Sequence, residues 1–185
     1  MRIVVILMCV LFASVGWAAP NSYLLDRSGS QVVFTWFLGA DAIKGQMPVK
    51  RADLKLDFKS AGNSSIDVAL DVSKAKAGFA FATGAMRGPK VLSADAHPEI
   101  RFKSTKVVAQ GTGAKVQGDL TIRGVTRPAI FDVKLYRGQG STDSSRLAVQ
   151  MTGSVNRSEF GATGWPDLVS DEIEINILAQ VARQE

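Results

Sequence analysis

Gly118-Asp119-Leu120-Thr121-Ile122-Arg123-Gly124-Val125-Thr126-Arg127-Pro128-Ala129-Ile130-Phe131-Asp132-Val133-Lys134-Leu135 decides the fold class. On one side of Arg123-Gly124, Leu120 and Ile122 share a face. On the other, Phe131, Val133 and Leu135 alternate with Asp132 and Lys134. A period of two puts successive side chains on opposite faces, so each arm reads as a strand with one dry and one wet face. Gly124 tolerates the positive φ of a tight turn, and Pro128 pre-sets φ on entry to the second strand. Half-dry strands joined by tight turns are the antiparallel pattern.

The same period repeats outward from this segment. Val32, Phe34, Trp36 and Leu38 share a face; Leu54, Leu56 and Phe58 alternate with Lys55, Asp57 and Lys59. Ile66, Val68, Leu70 and Val72 follow, then Ile100 and Phe102, Leu147, Val149 and Met151, and Ile173, Ile175 and Ile177. Turn residues such as Ala61-Gly62-Asn63-Ser64 and Gly111-Thr112-Gly113 separate the runs. Only Thr83–Ala94 breaks the alternation, and its Gly88-Pro89 leaves room for a turn or two of helix, placed near residues 84–94. Eight or more such strands bury their dry faces by closing into a barrel or by stacking as a sandwich.

The N-terminus reads differently. Met1-Arg2 is a short positive start, Ile3–Val15 is an apolar run of 13 residues, and Gly16-Trp17-Ala18 brings small residues two apart. This is the order of a secretory signal, and the run is shorter than the roughly 20 residues that span a bilayer. Cleavage after Ala18 is expected, leaving a domain over residues 19–185, no cysteine, and no membrane span. Without Arg2 the 22 basic residues become 21 against 17 acidic, a net charge of +4. No Lys/Arg run exceeds two residues, so nucleic acid is not an expected partner. Loss of the lone cysteine suits an oxidising compartment, and the expected location is the periplasm.

The chain has 1 Cys and 1 His, which excludes Cys₄, Cys₂His₂ and His₃ metal sites built from this chain alone. Acyl transfer would fall to His97, near Ser93 and Asp95, but no G-x-S-x-G motif accompanies it. Neither a metal, a cofactor nor catalysis is expected.

Gly118–Pro128 resembles the G-D-L-T-[LI]-x-G-V-T-[KR]-P signature of the YceI-like family of bacterial polyisoprenoid-binding proteins. Tyr23-Leu24-Leu25-Asp26 is similar to that family's opening Y-x-[LI]-D, and Ser30–Phe34 to its S-x-V-x-F. Leu38-Gly39 with Gly45, and Met86-Arg87 with Pro98–Thr105, match further family spacings. Three departures stand out, one being that the stretch after Tyr136 matches only in strand pattern and in Arg157–Gly161. Phe37 occupies a position where the family often has His, and Val91-Leu92 one where it often has an aromatic pair.

The resemblance implies an all-β, extended antiparallel eight-stranded lipocalin-like β-barrel whose apolar pore holds a polyisoprenoid, a quinone tail or a similar amphiphilic lipid. Inward positions that would line such a pore are Phe34, Trp36, Leu38, Phe102, Leu120 and Ile122, with Phe131 and Val133. Phe79, Phe81 and Met86, in or beside the irregular segment, would form a mouth or lid. Each of these residues also suits plain core packing. The rival expectation is an envelope interaction module whose barrel is filled by its own aromatics. A homodimer is compatible with either.

Overall fold

The computed structural model describes residues 20–137 and 143–184. The signal expected over residues 1–18 lies outside the described residues. Nine strands follow in order: β1 (Asn21–Leu38), β2 (Asp41–Gln46), β3 (Val49–Leu56), β4 (Ser65–Asp71), β5 (Glu99–Gln110), β6 (Gly113–Ile122), β7 (Val125–Arg137), β8 (Arg146–Asn156) and β9 (Glu172–Arg183). One helix, α1 (Ala80–Arg87), lies between β4 and β5.

Every pairing is antiparallel, and β9 returns to pair with β1, so the sheet closes. The closed ring has eight members, because β2 and β3 act as one strand broken at Met47-Pro48. β2 pairs with Val33–Leu38 of β1, and the end of β3 with Asn21–Tyr23. Pro48 has no N–H to give a ladder, which is where a strand breaks. Closure leaves the outer side of β2 without a strand beside it, where Gln46 bridges to Lys76. All of it lies within Asn21–Arg183, as does the hydrophobic core.

Two bulges set which side chains face in. In β1 the register with β9 shifts between Asp26 and Gln31. There the Asp26 carboxylate accepts hydrogen bonds from the Ser28 and Gly29 backbone N–H groups, gathering the extra residues. Below the shift Tyr23 and Leu25 point inward; above it Val32, Phe34 and Trp36 do. In β5 the register shifts between Ser104 and Lys106, moving the inward set from Ile100 and Phe102 to Val107 and Ala109. β5 gains one residue on β6 and β1 gains three on β9, and an odd number reverses the side-chain parity.

The β6–β7 hairpin turns on Arg123 and Gly124, which both have positive φ, at 52° and 74°. A two-residue turn with two positive φ values matches the strand twist. Outward positions carry charge, including Arg101, Lys103, Asp119, Asp132 and Lys134. That is the reverse of the alternation a lipid-spanning barrel needs. Among the described residues no helix is long and apolar enough to cross a membrane.

The helix departs from its predicted place. It spans Ala80–Arg87 rather than residues 84–94. Gly88 is extended, at φ −69° and ψ 171°, as the residue before a proline prefers, and turns continue to His97. Phe58 also departs. β3 stops at Leu56, and the Asp57 carboxylate accepts from Lys59 N–H, Ser60 N–H and Asn63 Nδ2, turning the chain. Phe58 therefore sits at the barrel end, edge-on to Tyr23 at 6.4 Å between ring centroids.

On the outer wall Arg101 holds Asp67 with both arms of its fork, Nε–Oδ1 at 3.2 Å and Nη2–Oδ2 at 2.6 Å. That hydrogen bonding keeps the Asp67 carboxyl below the usual aspartate value. Lys50 does the same to Glu99 across a 2.6 Å contact, and Ser73 to Asp71. A carboxyl depressed in the folded state stabilises above its unfolded pKa of about 4, and that contribution disappears as pH falls through the folded value. The melting temperature is thus expected to stay level from neutral pH to about pH 5 and to fall below about pH 4. Asp67→Asn should make the acid-side fall shallower. An unchanged acid slope in thermal melts of that variant would refute the assignment.

Candidate functional site: an apolar bore through the barrel

The barrel is not filled by its own side chains. A cavity of about 840 Å³ runs through it, from Trp165 and Leu168 at the α1 end to Phe58 and Thr112 at the other. This overturns the expectation of a self-filled interior. A 12-residue strand such as β5, rising about 3.3 Å per residue and tilted by about 40°, spans roughly 30 Å along the axis. A cavity of that volume drawn out over that length is long rather than compact.

All eleven residues singled out from the sequence lie on its wall. Phe34, Trp36 and Leu38 come from β1, Phe102 from β5, and Leu120 and Ile122 from β6. Phe131 and Val133 come from β7; Phe79 precedes α1, which carries Phe81 and Met86. Their settings differ. Leu120, Phe131 and Val133 are buried within the bore, with Phe102 edge-on to Phe131 at 5.1 Å. Leu38, Phe79 and Phe81 stand at the α1 end and remain open to solvent.

Three of the phenylalanines lie over glycines of a neighbouring strand. A Cβ on Gly45 would come within 2.1 Å of the Phe34 ring, on Gly118 within 2.6 Å of Phe102, and on Gly153 within 2.6 Å of Phe131. Each ring lies where a side chain would otherwise stand, which leaves the axis of the bore open.

The α1 end is framed by a second cluster and by a buried charge. Trp36 packs with Ala77, Ala82, Met86 and Val169, and its ring centroid is 6.2 Å from that of Phe79. Its indole Nε1 is the one buried side-chain polar atom without a partner among the described residues. Thr83 Oγ1 accepts the Ala77 N–H and ties the helix to the preceding chain. Arg157, 8% exposed, also reaches the wall. It donates Nε to Ser170 O, Nη1 to Ala162 O and Gly164 O, and Nη2 to Val169 O. Burial lowers its pKa, but its donors are spent on main-chain carbonyls of the loop that shapes the mouth. The wall is otherwise almost wholly apolar; at the far end Asp57 is turned to its own loop.

Several sequence signals fall off the wall. Phe37 has the opposite parity to Phe34 and Trp36, and its N–H is held by Ser170 Oγ. His97 lies against Gly124, with its N–H donated to Ser93 O, and does not line the bore. No group of three or more His, Cys, Asp or Glu among the described residues forms a metal cluster. Conversely, the emphasis on aromatics passed over aliphatic wall residues on β3, β4 and β9, such as Leu54, Val68, Ile175 and Ile177. Their alternation was visible. Trp165 and Leu168, in an irregular loop, carry no periodic signal.

The sequence pattern of the YceI-like domain matches residues 23–181. The chain belongs to the YceI-like family. A UPF0312 protein of Pectobacterium carotovorum is 26% identical over 180 residues, covering 95% of this chain and 93% of that one. Among solved structures, BcnA of Burkholderia cenocepacia superposes with a TM-score of 0.76 at 21% identity, over 84% of this chain and 98% of the other. A polyisoprenoid binding domain from Saccharophagus degradans, implicated in plant cell wall breakdown, gives a TM-score of 0.61 at 13% identity, over 89% and 99%. At these identities the two structures speak for the YceI-like barrel itself.

Proposed function

We propose that this YceI-like protein is a periplasmic carrier that holds one chain of a polyisoprenoid, or of a similar amphiphilic lipid, inside the bore. The observation that carries the reading is the cavity: long, apolar, and lined from one end of a closed barrel to the other. A flexible apolar chain gains roughly 25 cal/mol per Å² removed from water, set against the cost of ordering it. A long bore fits a chain better than a compact ring system of the same volume. The Saccharophagus domain of the same fold, a polyisoprenoid binding domain by name, adds support for the ligand class. The charged, apolar and small-residue order of residues 1–18 supports export.

No catalytic step is assigned. His97 is off the wall, and Arg157 is committed to the loop. The test is native mass spectrometry of protein purified from its own envelope, followed by organic extraction. A co-purifying species of isoprenoid mass, released on unfolding, is the expected result. An empty protein that also takes up no added isoprenoid quinone, polyprenol or fatty acid at micromolar concentration would overturn the reading.

A further inference from the structure

Large apolar side chains are exposed singly along the outer wall and at the far mouth, where Phe58 stands, and in a group at the α1 end. Along the outer wall they are single: Ile130, for example, sits between Pro128 and Asp132 on the outward face of β7 and opposite Gln117. Scattered residues of this sort need no explanation. At the α1 end they gather. Phe81 is 79% exposed, Leu168 58%, Phe79 45% and Trp165 38%, and all four also belong to the wall of the bore. The apolar surface thus runs unbroken from the interior out onto the rim.

Beside this rim is a second, polar notch. Lys90, Arg123, Thr163 and Trp165 line it with Pro89 and Pro166, and no carboxylate takes part. It shares Gly164 and Trp165 with the bore. The Lys90 ammonium lies 5.9 Å from the Trp165 ring centre, so one residue joins the cationic notch to the apolar rim. Arg123 donates Nη1 to Gly161 O, which fixes its side chain beside the notch.

We infer that the α1 end docks on the surface of an anionic phospholipid bilayer. Phe79, Phe81, Leu168 and Trp165 enter the interfacial region, and Lys90 and Arg123 meet the lipid phosphates. Exposed aromatics beside cations are the composition that interfacial binding uses, with apolar burial and attraction to anionic lipid adding together. Docked this way, the mouth of the bore opens directly onto the hydrocarbon, so a chain passes between bilayer and barrel without crossing water. The argument for this occupant draws on the cargo reading, but bilayer binding is measurable without cargo.

The test is flotation with phosphatidylcholine vesicles, with and without phosphatidylglycerol. It uses a chain beginning at Pro20, which keeps the whole closed ring and core and drops the apolar run of residues 3–15. That chain contains two tryptophans, and Trp36 is already buried, so a blue shift of emission on adding vesicles reports Trp165. The protein is expected to float with the anionic vesicles. Phe81→Ser with Leu168→Ser should cut binding about tenfold or more. Lys90→Glu with Arg123→Glu should cut binding to anionic vesicles more than tenfold, since each basic residue near such a surface contributes about fivefold. Circular dichroism melts confirm that both variants fold. Isoprenoid delivered from detergent should still enter the Lys90→Glu/Arg123→Glu protein as it enters wild type. If wild type stays behind, or the variants float equally well, the docking face is disproved. So it is if sedimentation shows a dimer that Phe81→Ser dissociates, because the face then belongs to a second copy. Wild type that floats but takes up no chain would leave docking standing and sink the carrier.

Discussion

Arg157→Leu is expected to lower the melting temperature by about 6–12 °C, the largest stability loss of any single substitution considered for this protein. The guanidinium is nearly fully buried and donates to four main-chain carbonyls, those of Ala162, Gly164, Val169 and Ser170. Leucine fills much of the space but answers none of them. A buried polar group left without a partner costs on the order of 1–3 kcal/mol. Loop relaxation and water recover part of that, so a total of about 3 kcal/mol is reasonable. For a chain of 150–250 residues each kcal/mol moves the midpoint by about 2–4 °C. Arg157→Lys should fail to rescue, because one ammonium on a flexible stem does not reproduce a planar fork serving several acceptors. Thermal melts by circular dichroism decide it. A fall of less than about 3 °C, or full recovery by lysine, would show that the loop does not depend on this fork.

Ala52→Trp is expected to abolish uptake of a long apolar chain while leaving the fold intact. Ala52 lies on β3, faces the bore, and pairs with Val68, which in turn pairs with Phe102. An indole there projects into space already open, so it avoids most of the strain that adding atoms to a packed core brings. Opposite Val68 and Phe102 an indole takes up much of the width of the bore at that level. Uptake of a fluorescent isoprenoid should fall tenfold or more, with a melting temperature at or slightly above that of wild type. A folded variant that still takes up the chain at the wild-type level would show that cargo does not run through the bore.

Much of this was legible in the order of residues. Alternation along β3–β9 reports directly which face is dry, because period two is a local property of extended chain. Closure is harder to see. It depends on β9 returning to β1, a pairing of distant segments that neither segment announces. The two parity reversals are harder still. Ser104-Thr105 reads as ordinary strand, and only the register against Gln117 and Gly118 reveals the extra residue. The helix lies earlier than its expected place because its apolar residues Ala80, Phe81 and Ala82 also suit extended chain, while Gly88-Pro89, which falls within residues 84–94, ends it. Within the bore, the aromatics of β1, β5 and β7 stood out by size. The loop residues Trp165 and Leu168 reach the wall through Arg157, whose four hydrogen bonds are a tertiary fact.

The rings lying over Gly45, Gly118 and Gly153 bear on how such a barrel changes its gauge. At Gly153 the bore width is a joint property of two residues on neighbouring strands. Enlarging the glycine pushes the ring toward the axis and narrows the passage. Shrinking the ring widens it and leaves a bare patch of backbone beneath. Neither step leaves the remaining partner well packed. A lineage adapting to a thicker or thinner chain would therefore change Gly153 and Phe131 together; at Gly45 and Gly118 a side chain would also meet Lys76 O and Lys103 O of the main chain, so there only the ring can vary while the strand ladder stays as it is.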